Sequence, residues 1–172
     1  MKVLAQDIKT GEFKPVYLIC GEEAFLKKSY KNRMKDALVG DDTMNFHYFE
    51  GKGLDLKEII SLADTMPFFG DRTFVELRGF DVNKCRDERT TALFADIPDW
   101  CTVVITLPTG MEPDGRLSFI KQLKSAGKAV NFTAQTGTPL NNWIARRFEA
   151  NGKRIDRDAV DRLVFLSGDL MN

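Results

Sequence analysis

The sequence has 172 residues, 43% of them hydrophobic and 10% aromatic, which is enough to bury the core of one ordinary domain, or of one domain and part of another. Its 25 basic and 25 acidic side chains balance, so no overall field favours binding to nucleic acid or to a membrane surface. No apolar run is long enough to cross a bilayer, and the first residues carry no apolar stretch typical of a secretion signal. Three scattered cysteines, Cys20, Cys85 and Cys101, indicate reduced thiols in the cytoplasm and no metal site.

Apolar patterns predict strands and helices that alternate along most of the chain. Residues 1–13 form a polar lead to which no element is assigned, and the apolar run at 16–21 predicts a buried strand. A helical stripe of apolar residues follows at 22–39 and is closed by Gly40. Further strands are predicted at 45–50, 73–77, 101–107 and 128–132, and further helices after an N-cap at Asp55, at 84–95 and at 117–126.

The alternation of strands and helices predicts the fold class. Strands that are separated by helices form a largely parallel sheet with right-handed crossovers. We therefore expect residues 1–136 to be an α/β domain, with a five-stranded, mostly parallel sheet flanked by helices.

The pattern changes near residue 138, where two helices follow each other without a strand. Thr138 and Pro139 are typical of an N-cap and a first helical position, and Asp156 is expected to cap the next helix. These elements are too few to enclose a core. We therefore expect residues 137–172 to be the truncated start of a second, helical domain.

The turn after the first strand is the usual place to bind phosphates in an α/β domain. A P-loop there follows the pattern G-x-x-x-x-G-K-[ST], because its glycines let backbone amides face the phosphates and its hydroxyl binds magnesium. Gly21 and Lys27 match this pattern, whereas Leu26 replaces the second glycine and Lys28 replaces the hydroxyl residue. The sequence thus predicts a nucleotide-binding architecture with a degenerate phosphate loop.

Charge and residue types also argue against catalysis. Glu22 and Glu23 stand where a phosphate would be received, and their charge would repel it. A Ser-His-Asp set would need His47, the single histidine, and a lone histidine in a strand is more often structural. We therefore expect neither enzymatic activity nor a cofactor, and a diverged P-loop NTPase is the alternative.

Basic residues gather around the last two predicted helices. Arg146, Arg147 and Arg154 could contact the phosphates of a DNA backbone, which makes a nucleic-acid-binding module a second alternative. A solvated face, partly balanced by neighbouring acidic residues, is at least as well supported.

The segment at 65–72 joins a predicted helix to a predicted strand and is unusually apolar. It places Met66, Phe68 and Phe69 in a junction marked by Pro67 and Gly70, although connections are normally polar. Two adjacent aromatic rings cannot both point inward. Either the pair is mainly local core, or it is an exposed anchor for another surface, where burial of a phenyl ring is worth about 2–3 kcal/mol.

Several stretches together resemble one family. The strand and Gly-Glu-Glu-x-Phe-Leu turn at 15–26 resemble the opening of the bacterial DNA polymerase III delta subunit family, in which this turn replaces a Walker A loop. The other similar stretches are the paired apolar residues at 66–72, the stretch at 124–132, Trp143-Ile144 and the stretch at 168–170. The likeness spans essentially the whole chain and is carried by the order and spacing of these stretches.

The resemblance implies a clamp-loader subunit with an AAA+-like first domain and a helical second domain, without the collar domain that follows in the family. Such subunits hydrolyse no ATP, and they bind the ring-shaped sliding clamp and open it for loading onto primed DNA in replication. The clamp-binding element of the family corresponds to Phe68 and Phe69, with Met66 beside them. Pro67 departs from members that carry a freer residue at that position.

The resemblance also implies partners and a location. We expect the sliding clamp (the beta subunit), the gamma/tau and delta prime subunits, and primer–template DNA in the assembled complex, but no membrane. As a holoenzyme subunit the protein would be grouped with the DNA-directed DNA polymerases, although no polymerase chemistry is expected of it. The fragment is expected to be monomeric and to act in the bacterial cytoplasm, at the nucleoid.

Overall fold

The computed structural model describes residues 2–51, 54–86 and 88–167. Strands and helices alternate up to residue 132, and two helices follow. The strands are β1 (Val16–Gly21), β2 (Phe46–Glu50), β3 (Thr73–Arg78), β4 (Cys101–Thr106) and β5 (Lys128–Phe132), and the helices are α1 (Lys2–Thr10), α2 (Ala24–Leu38), α3 (Leu56–Asp64), α4 (Glu88–Leu93), α5 (Ser118–Ala126), α6 (Thr138–Ala150) and α7 (Arg157–Ser167). A 3₁₀ turn lies at Val82–Lys84.

The strands form one five-stranded sheet in the order β2-β3-β4-β1-β5. All neighbouring strands are parallel, and β1 lies between β4 and β5. The predicted five-stranded parallel sheet is therefore confirmed. Because the strands are parallel, their carboxyl ends share one edge of the sheet and their amino ends share the opposite edge.

Helices cover both faces of the sheet. Side chains alternate between the faces of a strand, so Val16 and Leu18 of β1 pack in a core shared with α3 and α5. Tyr17 and Ile19 pack in a second core shared with α1, α2, α6 and α7. This coverage explains why β1 and β4 are mostly apolar and why nearly all residues of β1, β3 and β4 are buried.

Helix α1 lies in the polar lead, to which no element was assigned from the sequence. Its Leu4 is fully buried, and Ile8, one turn later, packs against the same core. A polar group also holds the helix. The buried carboxylate of Asp7 accepts hydrogen bonds from the hydroxyl of Tyr17 at 2.7 Å and from Nζ of Lys128 at 2.6 and 2.7 Å.

The helix predicted at 84–95 is confirmed only in its central part, because a 3₁₀ turn and a shorter helix take its place. Asp81 accepts a hydrogen bond from the backbone N–H of Asn83 at 3.2 Å, which starts the 3₁₀ turn before the predicted helix. Helix α4 begins later, at Glu88, and ends at Leu93.

Two of three predicted helix caps are confirmed. The side chain of Asp55 accepts from the backbone N–H groups of Lys57 and Glu58, and Oδ1 of Asp156 accepts from the N–H of Ala159 at 2.8 Å. Thr138 does not cap α6, because the cap is Gly137, whose φ of 59° is a left-handed conformation that glycine adopts without strain.

The last two helices pack on the α/β layers. Leu140 and Ile144 of α6 and Val160 of α7 are buried in the same core as β1 and β5, and the ring of Trp143 meets that of Phe25 edge-on at 5.5 Å. The stretch at 168–170 that resembles the family lies outside the described residues. No helix in the described part of the chain combines the length and the apolar character needed to span a bilayer.

Candidate protein-binding site

The exposed apolar segment lies between α3 and β3. Helix α3 ends at Asp64, and the backbone N–H of its C-cap, Thr65, donates to the carbonyl of Leu62 at 3.1 Å. Strand β3 begins at Thr73, so the segment lies at the amino edge of the sheet, opposite the edge where the turn after β1 is found. We call residues 66–69 the anchor segment.

The anchor segment presents its apolar side chains to solvent. Met66 is 73% exposed, Phe68 is 54% exposed and Phe69 is 95% exposed. The two rings meet edge-on, with their centroids 4.4 Å apart and their planes at 69°. Neither ring is buried in the domain, so the local-core alternative does not describe this pair.

A buried asparagine holds the backbone of the anchor segment. Asn45 is 3% exposed, and its Oδ1 accepts from the N–H of Phe68 at 2.7 Å while its Nδ2 donates to the carbonyl of Phe68 at 2.8 Å. Nδ2 also donates to Oδ2 of Asp42 at 2.6 Å. The other oxygen of Asp42 accepts from the N–H of Met44 at 2.7 Å. The hydrogen bond from the Asn45 side chain lowers the pKa of Asp42 the most, and the bond from the N–H of Met44 lowers it further.

The residues that follow Phe68 make a tight turn. Phe69 has a φ of 55°, a left-handed conformation that is unusual for a residue with a side chain. A Cβ atom on Gly70 would lie 3.0 Å from Nδ2 of Asn45 and 3.6 Å from Oδ2 of Asp42, so glycine lets the turn approach this pair. Nη1 of Arg72 then donates to the carbonyl of Asp99 at 2.6 Å and fixes the entry to β3.

An open cavity of about 430 Å³ lies beside the anchor segment. Met44, His47, Leu62, Met66 and Phe68 are among its lining residues. Met44 is 58% exposed and enlarges the apolar surface. Sequence reasoning missed Met44, because it lies in a separate loop before β2. Burial lowers the pKa of His47, which keeps its imidazole neutral near pH 7.

The ammonium group of Lys27 fills the space inside the degenerate phosphate loop. Nζ of Lys27 is buried and donates to the carbonyls of Gly21 at 2.7 Å and Leu107 at 3.1 Å, and to Oγ1 of Thr109 at 3.3 Å. Burial lowers the pKa of Lys27. Its ammonium group therefore satisfies carbonyls at the carboxyl ends of β1 and β4.

The other residues of this loop divide between core and solvent. Glu23 is fully buried and accepts from the backbone N–H of Gln135 at 2.9 Å, whereas Glu22 is exposed. Gly21 has a φ of 107°, and a Cβ atom there would lie 2.4 Å from the carbonyl oxygen of Phe132. Leu26 is buried in the core and Lys28 is exposed.

A buried ionic group beside this loop was missed by sequence reasoning. Oε1 of Glu76 lies 2.8 Å from Nζ of Lys31 and 2.8 Å from Nη2 of Arg78, and the side chains of Glu76 and Lys31 are both buried. Lys27 and Lys31 are four residues apart, which places them on one face of α2. Two lysines with this spacing, next to the apolar stripe of the helix, were the signal in the sequence that could have indicated the buried ionic group. Within the described parts of the chain, no cluster of three or more His, Cys, Asp or Glu side chains could hold a metal ion.

Comparison with known proteins identifies the family. The family model described as "DNA polymerase III, delta subunit" matches residues 17–134, which is more than half of the chain and includes the degenerate loop and the anchor segment. The chain belongs to this family. The resemblance found in the sequence is therefore confirmed.

A curated relative supports the assignment of this chain to the delta family. It is 25% identical over 171 residues to the DNA polymerase III subunit delta of Bacillus subtilis (strain 168), and the match covers 94% of this chain and 49% of the relative. The chain thus spans about half the length of the curated relative it matches.

Two solved structures share the fold. The Bacillus subtilis DNA clamp loader delta protein superposes with a TM-score of 0.73 at 22% identity, over 96% of this chain and 52% of that one. A DNA polymerase III gamma subunit-related protein of Thermotoga maritima gives a TM-score of 0.53 at 12% identity, over 83% of this chain and 49% of that one. These likenesses show that the chain shares the α/β fold of both proteins.

The three arginines considered for DNA contact lie around α6. Arg147 lies over the ring of Phe25 at 5.2 Å and near that of Trp143 at 5.8 Å, so part of its surface serves packing between α2 and α6. Arg146 and Arg154 are exposed. Contact of these three residues with a DNA backbone stays a prediction.

Proposed function

We propose that this chain is the clamp-binding part of a clamp-loader delta subunit. It binds the sliding clamp through Phe68 and Phe69, with Met66 beside them, and opens the ring for loading onto primed DNA in replication. The observation that carries this proposal is the pair of exposed, edge-on rings on a member of the DNA polymerase III delta subunit family.

Physical chemistry supports an anchor at this place. Burying each exposed ring in a partner's pocket is worth about 2–3 kcal/mol before the costs of association. A few such side chains, surrounded by weaker contacts, carry most of the binding energy in many interfaces. Ring opening then requires that this chain bind the open form of the clamp more tightly than the closed form.

The proposal needs no nucleotide chemistry in this chain. The carbonyls of Gly21 and Leu107 are hydrogen-bonded by Lys27, and Glu23 places a buried carboxylate in the same turn. A nucleotide phosphate would have to displace Lys27 and lie near that carboxylate. A diverged P-loop NTPase is therefore the weaker alternative, and saturable binding of Mg-ATP with micromolar affinity in calorimetry would favour it.

The proposal includes the organisation and setting of the chain. Residues 1–136 would be the AAA+-like domain, and residues 137–172 would belong to the helical domain. The proposed partners are the beta sliding clamp, the gamma/tau and delta prime subunits, and primed DNA in the assembled complex, in the bacterial cytoplasm.

A pull-down with the sliding clamp tests the proposal. The double variant Phe68→Ala with Phe69→Ala should lose capture of the clamp while its thermal stability stays close to that of the wild type, because both rings are exposed. Phe165→Ala is the matched control, since Phe165 is 86% exposed on α7. Capture of the clamp by the double variant at the wild-type level would overturn the proposal.

A further inference from the structure

We propose that Asn45, supported by Asp42, is a positioning residue that sets the conformation of the anchor segment before a partner arrives. This inference rests on the proposed function, because the contact that it serves is the one made by Phe68 and Phe69. It adds two polar residues, Asn45 and Asp42, to the residues on which clamp binding depends.

The backbone and the side chain of Asn45 are both held in place by hydrogen bonds. Its backbone carbonyl accepts from the N–H of Phe74 in β3 at 2.9 Å, so the sheet fixes its position. Asp42 fixes its side chain, because Nδ2 donates to Oδ2 of Asp42 at 2.6 Å. The remaining hydrogen-bonding capacity of the amide faces Phe68.

The two hydrogen bonds between Asn45 and Phe68 fix the residue just before Phe69, which is in the left-handed conformation. They hold both the N–H and the carbonyl of Phe68, and Phe69 follows with a φ of 55°. That conformation is unfavourable for a residue with a Cβ atom and persists when the surroundings enforce it. If the segment rotated away, the buried amide of Asn45 would lose both of its hydrogen bonds with Phe68.

A role in binding explains this arrangement better than a role in core packing. The rings of Phe68 and Phe69 face solvent, so core packing does not select their positions. A segment that is already in its bound conformation loses less entropy on association. If the competent conformation is only a fraction of the population, the apparent affinity falls by that fraction.

Asn45→Ala and a matched control test the proposal. Asn83 makes an equivalent pair of bonds on a different loop: its Nδ2 donates to the carbonyl of Glu112 at 3.0 Å, and its Oδ1 accepts from the N–H of Asp114 at 2.8 Å. We expect Asn45→Ala to weaken binding to the sliding clamp about tenfold. Asn83→Ala should lower the melting temperature comparably and change the affinity by less than about twofold.

A second variant and a second measurement separate positioning from stability. In a Phe69→Ala background, Asn45→Ala should cost clearly less affinity than in the wild type, because part of the contact that it positions is already gone. Hydrogen exchange of the Phe68 amide should be slow in the wild type and in Asn83→Ala, and fast in Asn45→Ala.

The outcomes distinguish this inference from the proposed function. If the double phenylalanine variant loses the clamp while Asn45→Ala binds as well as Asn83→Ala, the positioning role is wrong and the proposed function stands. Fast exchange of the Phe68 amide in the wild type also overturns the positioning role. If the double phenylalanine variant binds the clamp normally, both proposals are wrong.

Discussion

The side-chain amide of Asn45 bonds both the N–H and the carbonyl of Phe68, which lies 23 positions later in the chain, at 2.7 and 2.8 Å. This contact joins the start of β2 to the loop before β3 at the amino edge of the sheet. At the opposite edge, Lys27 closes the turn in which a nucleotide-binding relative would hold phosphate. The parallel sheet thus has a turn filled by Lys27 at one edge and the exposed apolar anchor segment at the other.

The first prediction concerns Lys27. Replacing Lys27 with Met removes the donor for the buried carbonyls of Gly21 and Leu107, which should lower the free energy of unfolding by about 2–3 kcal/mol. Urea denaturation measures this change. Lys28→Met is the control, because the neighbouring lysine is exposed and its loss should change the unfolding free energy by less than about 0.5 kcal/mol. Equal stability of the two variants would contradict the role given to Lys27.

The second prediction concerns the buried carboxylate of Glu76. The charged groups of Glu76 and Lys31 are both buried. Glu76→Gln removes the charge that compensates Lys31 and should therefore lower the free energy of unfolding by about 3 kcal/mol. The double variant Lys31→Met with Glu76→Leu removes both buried charges. It should recover most of that loss, because the remaining partner of Glu76, Arg78, is partly exposed and can be solvated. A double variant that is less stable than Glu76→Gln would show that the ion pair itself stabilises the fold.

The third prediction concerns Gly70. Gly70→Ala places a Cβ atom 3.0 Å from Nδ2 of Asn45, so the turn must shift, and affinity for the sliding clamp should fall by about threefold to tenfold. Gly115→Ala is the control, since a Cβ atom there would meet only the flexible end of Lys124, at 3.8 Å. Clamp titrations with both variants measure the difference. An unchanged affinity in Gly70→Ala would show that the turn tolerates a shift at this point.

The fourth prediction concerns the pH dependence of the anchor segment. Hydrogen bonds to Asp42, chiefly from Asn45 and then from Met44, lower its pKa below the ordinary value of 3.8. A carboxylate with a lowered pKa stabilises the fold above its unfolded pKa, and this stabilisation is lost as the pH falls through the folded value. The side-chain amide signals of Asn45 in NMR spectra should therefore not change between about pH 7 and 5.

Below that range the same signals should change with a midpoint under 3.8, and Asp42→Asn should abolish the change. A midpoint at or above 3.8 would mean that the hydrogen bonds to Asp42 do not favour its charged form.

Much of the fold could be predicted from the sequence, because apolar side chains decide it. The runs that became β1 and β4 are apolar on both faces of a covered sheet, and Asp55 and Asp156 precede helices in the usual way. Helix α1 was missed because only Leu4 and Ile8 mark its apolar face in a short polar segment, and the polar contact of Asp7 with Tyr17 and Lys128 leaves no periodic signal.

The candidate site could be predicted in part, because its apolar side chains stand out in the sequence. Phe68 and Phe69 stand out because aromatic residues are unusual in a turn between a helix and a strand. Asn45 could not be recognised, because a side-chain bond to a backbone group 23 residues away produces no local pattern. The internal bonds of Lys27 were equally hidden, although its place in a failed phosphate loop was clear.

The equilibrium titration of the sliding clamp with three forms of this chain tests the central claim most directly. Phe68→Ala with Phe69→Ala should raise the dissociation constant at least about a hundredfold, the loss expected when two anchor side chains are removed. Phe165→Ala, which removes a comparably exposed ring from α7, should stay within about twofold of the wild type. A double variant that binds the clamp as tightly as the wild type, or as tightly as Phe165→Ala, would contradict the assignment of the anchor segment to the clamp.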